Sequence, residues 1–218
     1  MTTRCLRRLF LAVLVLPVLL LSACTTSFEQ NVQIIGPNLT KEQWNAQRDV
    51  LLDKSSFTTR GEVEIDLLPQ AHYGNTNTNT QGSAKYVYQA KPNSYTFAVT
   101  HFMAGVLFKV KKGDGVPGVE LINSDGNKYN FPSEAEFSKA VQIPISRLPY
   151  WIMGITLGDE RDIRSDASGR LEQFNSNGWI VRYYEYEKFG DFILPKRLIV
   201  TNAKVGTIKI VVNKWDCN

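Results

Sequence analysis

Acidic residues are absent from the first 23 positions, and the whole chain of 218 residues has only two histidines, three cysteines and three methionines. Neither His72 nor His101 has a second ligand at i, i+4 or comparable spacing, which excludes a local zinc or haem site. Cys217 has no histidine near it and no Gly-x-Ser-x-Gly turn occurs, so neither a thiol nor a serine nucleophile is legible. Glu134 and Glu136 stand two apart on an expected helix and point to different faces; they read as charges that favour a helix N-terminus, not as an acid pair. No metal, cofactor or catalytic residue is expected. No cluster of five or six basic residues occurs, and the densest group after the first segment, Lys109, Lys111 and Lys112, reads as a solvated strand end. Nucleic acid is therefore not an expected partner.

The apolar residues are distributed unevenly. Arg4, Arg7 and Arg8 precede a run from Leu9 to Leu21 broken only by Pro17, followed by Ser22, Ala23 and Cys24. Thirteen helical residues rise only about 20 Å, whereas a bilayer core of roughly 30 Å asks for about 20 residues. The segment reads as a secretory signal, removed after residue 23. Leu21-Ser22-Ala23-Cys24 resembles the bacterial lipobox, whose cysteine becomes the lipidated first residue; the alternative is a secreted protein with Cys24 free. Removing 23 residues and three arginines from a chain of net charge +4 leaves 195 residues at +1. With Cys5 lost and Cys24 occupied by lipid, Cys217 has no partner for a disulfide, and core packing must hold the domain.

Residues 24–39 are polar and aperiodic and read as a tether, with a single domain at 40–218. Thr40-Lys41-Glu42-Gln43 matches a capping box, and Trp44, Val50 and Leu51 supply the apolar stripe of a helix to about Lys54. Alternation of period two then predicts strands at 57–68, 82–91, 94–101, 104–112, 117–123 and 127–131. Helices follow at 132–142 and 146–153, and strands resume at 161–166, 169–175, 179–187, 192–201 and 205–215. Asn75 to Thr80 is a low-complexity loop. About ten antiparallel strands with three helices must curl into a barrel or partial barrel to bury one face.

Gly113-Asp114-Gly115-Val116-Pro117-Gly118 matches Gly-x-Gly-x-x-Gly, but a strand follows it where a dinucleotide site needs a helix, so it reads as a hairpin. More telling is Thr100-His101-Phe102-Met103-Ala104-Gly105. Hairpin tips are usually polar, yet this one offers two large apolar side chains, either exposed for lipid or a partner or folded back and buried.

The lipobox, Thr59-Arg60-Gly61, Ile143-Pro144-Ile145, Tyr150-Trp151-Ile152-Met153-Gly154, Asn177-Gly178-Trp179-Ile180-Val181, Leu194-Pro195-Lys196-Arg197-Leu198 and Ile208 to Trp215 together resemble the LolB family of Gram-negative bacteria. The resemblance runs from about Thr40 to Trp215. It implies a mainly β fold, an open antiparallel half-barrel with a helical lid over an apolar cavity, similar to the periplasmic carrier LolA. It further implies that lipoproteins are accepted from LolA and placed in the outer membrane, with their acyl chains and outer-membrane lipid as further partners and neither nucleotide nor metal in use. A monomer on the periplasmic face of the outer membrane is expected, and Thr25 is not the aspartate associated with inner-membrane retention. Assigned by face, the expected cavity lining is Tyr86, Tyr88, Phe97, Val99, Phe108, Trp151, Ile152, Met153 and Tyr183. Met103 falls where the family's protruding loop bears an exposed leucine, with Phe102 and Ala104 in place of proline and glycine. The competing readings are a lipoprotein that binds another lipid, a structural lipoprotein of the outer membrane, and an enzyme.

Overall fold

The computed structural model describes residues 34–54, 56–67 and 84–217, without the side chains of Leu67 and Cys217. The leader 1–23, Cys24, residues 25–33 of the tether, His72 and the repeat at 75–80 lie outside the described residues. Period-two alternation resolves into strands β1 (Phe57–Leu67), β2 (Ala84–Lys91), β3 (Ser94–His101), β4 (Gly105–Gly113), β5 (Val116–Asn123), β6 (Lys128–Phe131), β7 (Arg161–Ser165), β8 (Leu171–Ser176), β9 (Trp179–Phe189), β10 (Phe192–Asn202) and β11 (Gly206–Cys217). The helices are α1 (Lys41–Asp53), α2 (Glu134–Val141) and α3 (Leu148–Met153).

All neighbouring strands are antiparallel, in the order β6-β5-β4-β3-β2-β1-β11-β10-β9-β8-β7. The sheet ends on β6 and β7 and stays open, as a half-barrel does. Those two edges are consecutive in sequence, so the segment joining them, which contains α2 and α3, has to cross from one side to the other. The Gly-x-Gly-x-x-Gly stretch forms the β4–β5 turn, with Gly113, Gly115 and Gly118 all at positive φ.

Register lines the inward side chains up in rows. Val200, Ile208 and Ile65 are successive partners across β10, β11 and β1; Leu198, Ile210, Val63 and Ala84 form the next row. Beyond it run Val212, Gly61, Tyr86, Val99 and Phe108. At Gly61 the β1–β11 register shifts, and a Cβ there would lie 1.9 Å from the Val211 carbonyl oxygen and 2.9 Å from the Tyr86 ring. Thr59, fully buried, meets the Tyr86 hydroxyl at 3.2 Å, while Arg60 faces out and pairs with Asp216 at 2.5 Å. Thr59-Arg60-Gly61 thus seats one aromatic ring over a bulge that bends the sheet.

Thr40 and Gln43 form the expected reciprocal cap on α1. Its buried stripe differs from expectation: Leu51 is buried and Trp44 half-buried, but Val50 is 48% exposed. At 100° per residue, 44, 47 and 51 share a face and 50 does not. Gln47 occupies the remaining place on that face and exchanges two 2.8 Å hydrogen bonds with the backbone of Ile193.

Residues 34–39, expected in the tether, belong to the folded unit. Ile34 is buried, Ile35 pairs with β9 through Tyr184 and Tyr186, and Gly36 sits so close to Tyr186 that a Cβ would meet its carbonyl oxygen at 1.9 Å. Arg170 donates to the carbonyls of Ile34, Gly36 and Pro37 and to Asp166. Burial opposes the charge of Asp166, but bonds from Ser168 and from the amide of Arg170, with the Arg170 cation, hold its carboxyl below the usual range. Polar composition signalled a tether here because these bonds are made by the backbone. Lys112 is likewise not a solvated strand end: it donates to Glu134 at 2.6 Å, tying α2 to β4, and Tyr95 donates to the same carboxylate at 3.2 Å.

Gly61→Ala is expected to lower unfolding free energy by about 1–3 kcal/mol, the usual cost of overpacking. Urea denaturation followed by circular dichroism measures it, and an unchanged midpoint would contradict the close approach.

Candidate functional site

The inner face of the sheet centre carries Val63 and Ile65 from β1, Tyr86, Phe97 and Phe108 from β2 to β4, Val200 from β10, and Ile208 and Ile210 from β11. Over them lies the crossing segment, through Ile143, Pro144, Ile145, Leu148, Trp151 and Ile152. Between floor and roof is a cavity of about 20 Å³ that no polar atom faces. That is room for about one water molecule, whereas sites for sizeable ligands usually measure about 300–1,000 Å³. The roof rests on the floor, and any long ligand must lift it.

Of the nine residues expected to line an acyl hollow, Tyr86, Phe97, Phe108, Trp151 and Ile152 border this small cavity. Four do not. Tyr88 stacks between Phe57 and Tyr95, with centroids 5.9 and 5.8 Å apart, one row further along the sheet. Val99 is on the inner face but stands between the longer side chains of Tyr86 and Phe108, its register partners. Met153 lies past the roof and lines a second cavity, and Tyr183 is buried with its hydroxyl donating to the Trp151 carbonyl at 2.8 Å. Alternation along a single strand separates in from out but does not give the row. Ile143, Pro144 and Ile145 border the cavity without being expected there, although three apolar residues between two predicted helices are a signal for a covered crossing.

The roof is fastened by charge as well as packing. Arg147, immediately before α3, donates to both oxygens of Asp159 at 2.6 and 2.5 Å and lies 3.6 Å from Glu160. The bond from Arg147 holds the Asp159 carboxyl below its ordinary value. The Glu160 side chain is 0% exposed; one oxygen accepts the amides of Leu157 and Gly158 at 2.8 Å, and the other has no hydrogen bond, only the Arg147 cation. Burial also drives the hydroxyls of Tyr86, Tyr88, Tyr95 and Tyr183 upward, keeping them neutral.

The second cavity is larger, about 380 Å³, and lies between α1, Met153 to Thr156, the β7–β8 hairpin and Tyr186. Its wall includes Lys41, Arg48 and Asp166, so hydrocarbon gains less there than in the small apolar cavity despite the greater room.

The β3–β4 tip leaves Phe102 85% and Met103 77% exposed, the most open large apolar side chains among the described residues. They do not fold back. His101 shapes the turn: its Nδ1 accepts the amides of Met103 at 3.3 Å and Ala104 at 3.4 Å, and its ring stands 5.0 Å from that of Phe102. No helix among the described residues is long and apolar enough to cross a membrane.

Residues 70–215 match the sequence profile of the family described as outer membrane lipoprotein LolB. Two relatives named outer-membrane lipoprotein LolB align along most of the chain. That of Aeromonas salmonicida is 24% identical over 204 residues, covering 90% of this chain and 91% of its own. That of Chromohalobacter salexigens is 27% identical over 207 residues, covering 91% and 86%. A third, of Coxiella burnetii, is 33% identical over 75 residues, 34% of this chain and 35% of its own.

Arg147→Ala strands the buried Glu160 carboxylate and is expected to cost about 1–3 kcal/mol; Asp159→Ala, which removes the more exposed partner, costs less. Equal losses in urea denaturation would contradict this account of the fastening.

Proposed function

The chain belongs to the outer membrane lipoprotein LolB family, and from that premise we propose that it accepts lipoproteins from the periplasmic carrier LolA, holds their acyl chains beneath the roof formed by residues 143–152 and inserts them into the outer membrane. The observation that carries this reading is the wholly apolar cavity between the sheet centre and a separately fastened roof. Each methylene removed from water is worth about 0.8 kcal/mol, so a long acyl chain exposed to water costs on the order of 10 kcal/mol. A receptor that offers an apolar site removes that barrier, provided it binds the chain at least as well as the carrier does and less well than the bilayer. Transfer is then downhill at each step and needs neither nucleotide nor metal. The receptor itself is held at the periplasmic face by lipid on Cys24.

Phe102 and Met103 supply the membrane end of the path. Moving such side chains from water into a bilayer yields about 1.5–3 kcal/mol each, enough to hold the tip against lipid while the roof opens and too little to anchor the protein alone. The small closed volume is the one observation that favours a second reading, a structural lipoprotein with a filled half-barrel. The two part on acyl uptake: a receptor takes up a fluorescent fatty-acyl probe, and a structural protein does not.

Incubating the protein with a carrier–lipoprotein complex and liposomes, then floating the liposomes, tests the whole sequence. Cargo should leave the carrier and float with the vesicles. Met103→Glu should still take cargo from the carrier but deliver far less of it to liposomes; normal delivery by that variant would overturn the role of the tip.

A further inference from the structure

Methionine is scarce in this chain, and its three copies stand in different surroundings. Met1 opens the leader, Met153 is 6% exposed at the end of α3, and Met103 is 77% exposed at the β3–β4 tip. A thioether reacts with a dissolved peroxide according to how freely the oxidant reaches it. That access exists at Met103 and not at Met153. The other apolar residue of the tip offers no such chemistry: the Phe102 ring, 5.0 Å from that of His101, is inert to peroxide. The turn is shaped by backbone amides, those of Met103 and Ala104 donating to His101 Nδ1, so the Met103 sulfur can change polarity without breaking the bonds that form the tip. Leucine would offer a similar apolar volume there with no oxidisable atom.

We propose that Met103 is a site of reversible oxidation that switches cargo delivery off. The inference rests on the lipid-contacting role given to the tip above and adds its regulation. One oxygen atom passes from peroxide to the Met103 sulfur: the thioether gives up two electrons and becomes the sulfoxide, and the peroxide is reduced to water. The sulfoxide oxygen is a polar group that must shed its water to enter hydrocarbon, so the oxidised side chain no longer gains by touching lipid and Phe102 alone holds the tip. No methionine lines the apolar cavity, so cargo is still taken from the carrier and stops at the last step. A methionine sulfoxide reductase reverses the change, the oxygen leaving as water while two thiols are oxidised to a disulfide.

The full-length protein, wild type and Met103→Leu, is treated with hydrogen peroxide, cleared of it with catalase, and given the carrier–lipoprotein complex and liposomes. For each protein the rate of cargo delivery after treatment is divided by the rate before it. Both proteins keep Cys217, so thiol oxidation cancels in the comparison. Peptide mass spectrometry should find the added oxygen at Met103 well before Met153. The ratio should fall about tenfold or more in the wild type, the worth of one apolar side chain against lipid. It should stay near one in Met103→Leu, and in the wild type it should recover after treatment with reductases for both sulfoxide epimers. A wild-type ratio near one with Met103 oxidised, an equal fall in both proteins, or Met153 oxidised as fast as Met103 overturns the inference and leaves delivery standing. Untreated wild-type protein that delivers no cargo overturns the delivery reading and the switch with it.

Discussion

Pairing of β1 with β11 puts the first and last strands of the fold side by side at the middle of the sheet, and everything that covers the sheet depends on it. Because the centre is made from the two ends, the middle of the chain is left at the two edges, β6 and β7. The residues between those edges then have one short route, across the concave face. Gly61 is the narrow point of this arrangement: any larger residue pushes against the Val211 carbonyl and the Tyr86 ring together, disturbing the strand pair and the cavity floor at once.

Two sets of forces hold the crossing segment down, and they differ in how easily they reverse. Apolar packing of Ile145, Leu148, Trp151 and Ile152 against the floor would be lost if the roof lifted and regained against hydrocarbon. The Arg147 contacts with Asp159 and Glu160 sit at the start of α3, and hydrocarbon offers nothing that would replace them. Residues 34–39 are docked separately, through the bonds of Arg170 to three of their carbonyls.

Much of this was legible from sequence because it depends on local rules. Period-two alternation located the strands, Thr40 with Gln43 located the start of α1, and Pro149 fits the first turn of α3, where it was expected. Exposure of Phe102 and Met103 was one of two readings of a tip with the wrong polarity. What escaped is set by pairing between distant segments. Tyr86 and Tyr88 share a face of β2, yet only register with Gly61 separates the cavity floor from the aromatic stack with Phe57. The docked segment at 34–39 escaped for a related reason, since its bonds come from backbone carbonyls that every residue has.

The central claim is that the roof leaves the sheet to admit an acyl chain. Spin labels at Ser146 in the crossing segment and at Lys209 on the outer face of β11, with Cys217 replaced by serine, report the separation directly by pulsed electron resonance. Adding a fatty-acyl ligand should move the distance distribution outward by several ångströms and narrow it around the new value. A distribution that stays put while the ligand is bound would contradict the claim.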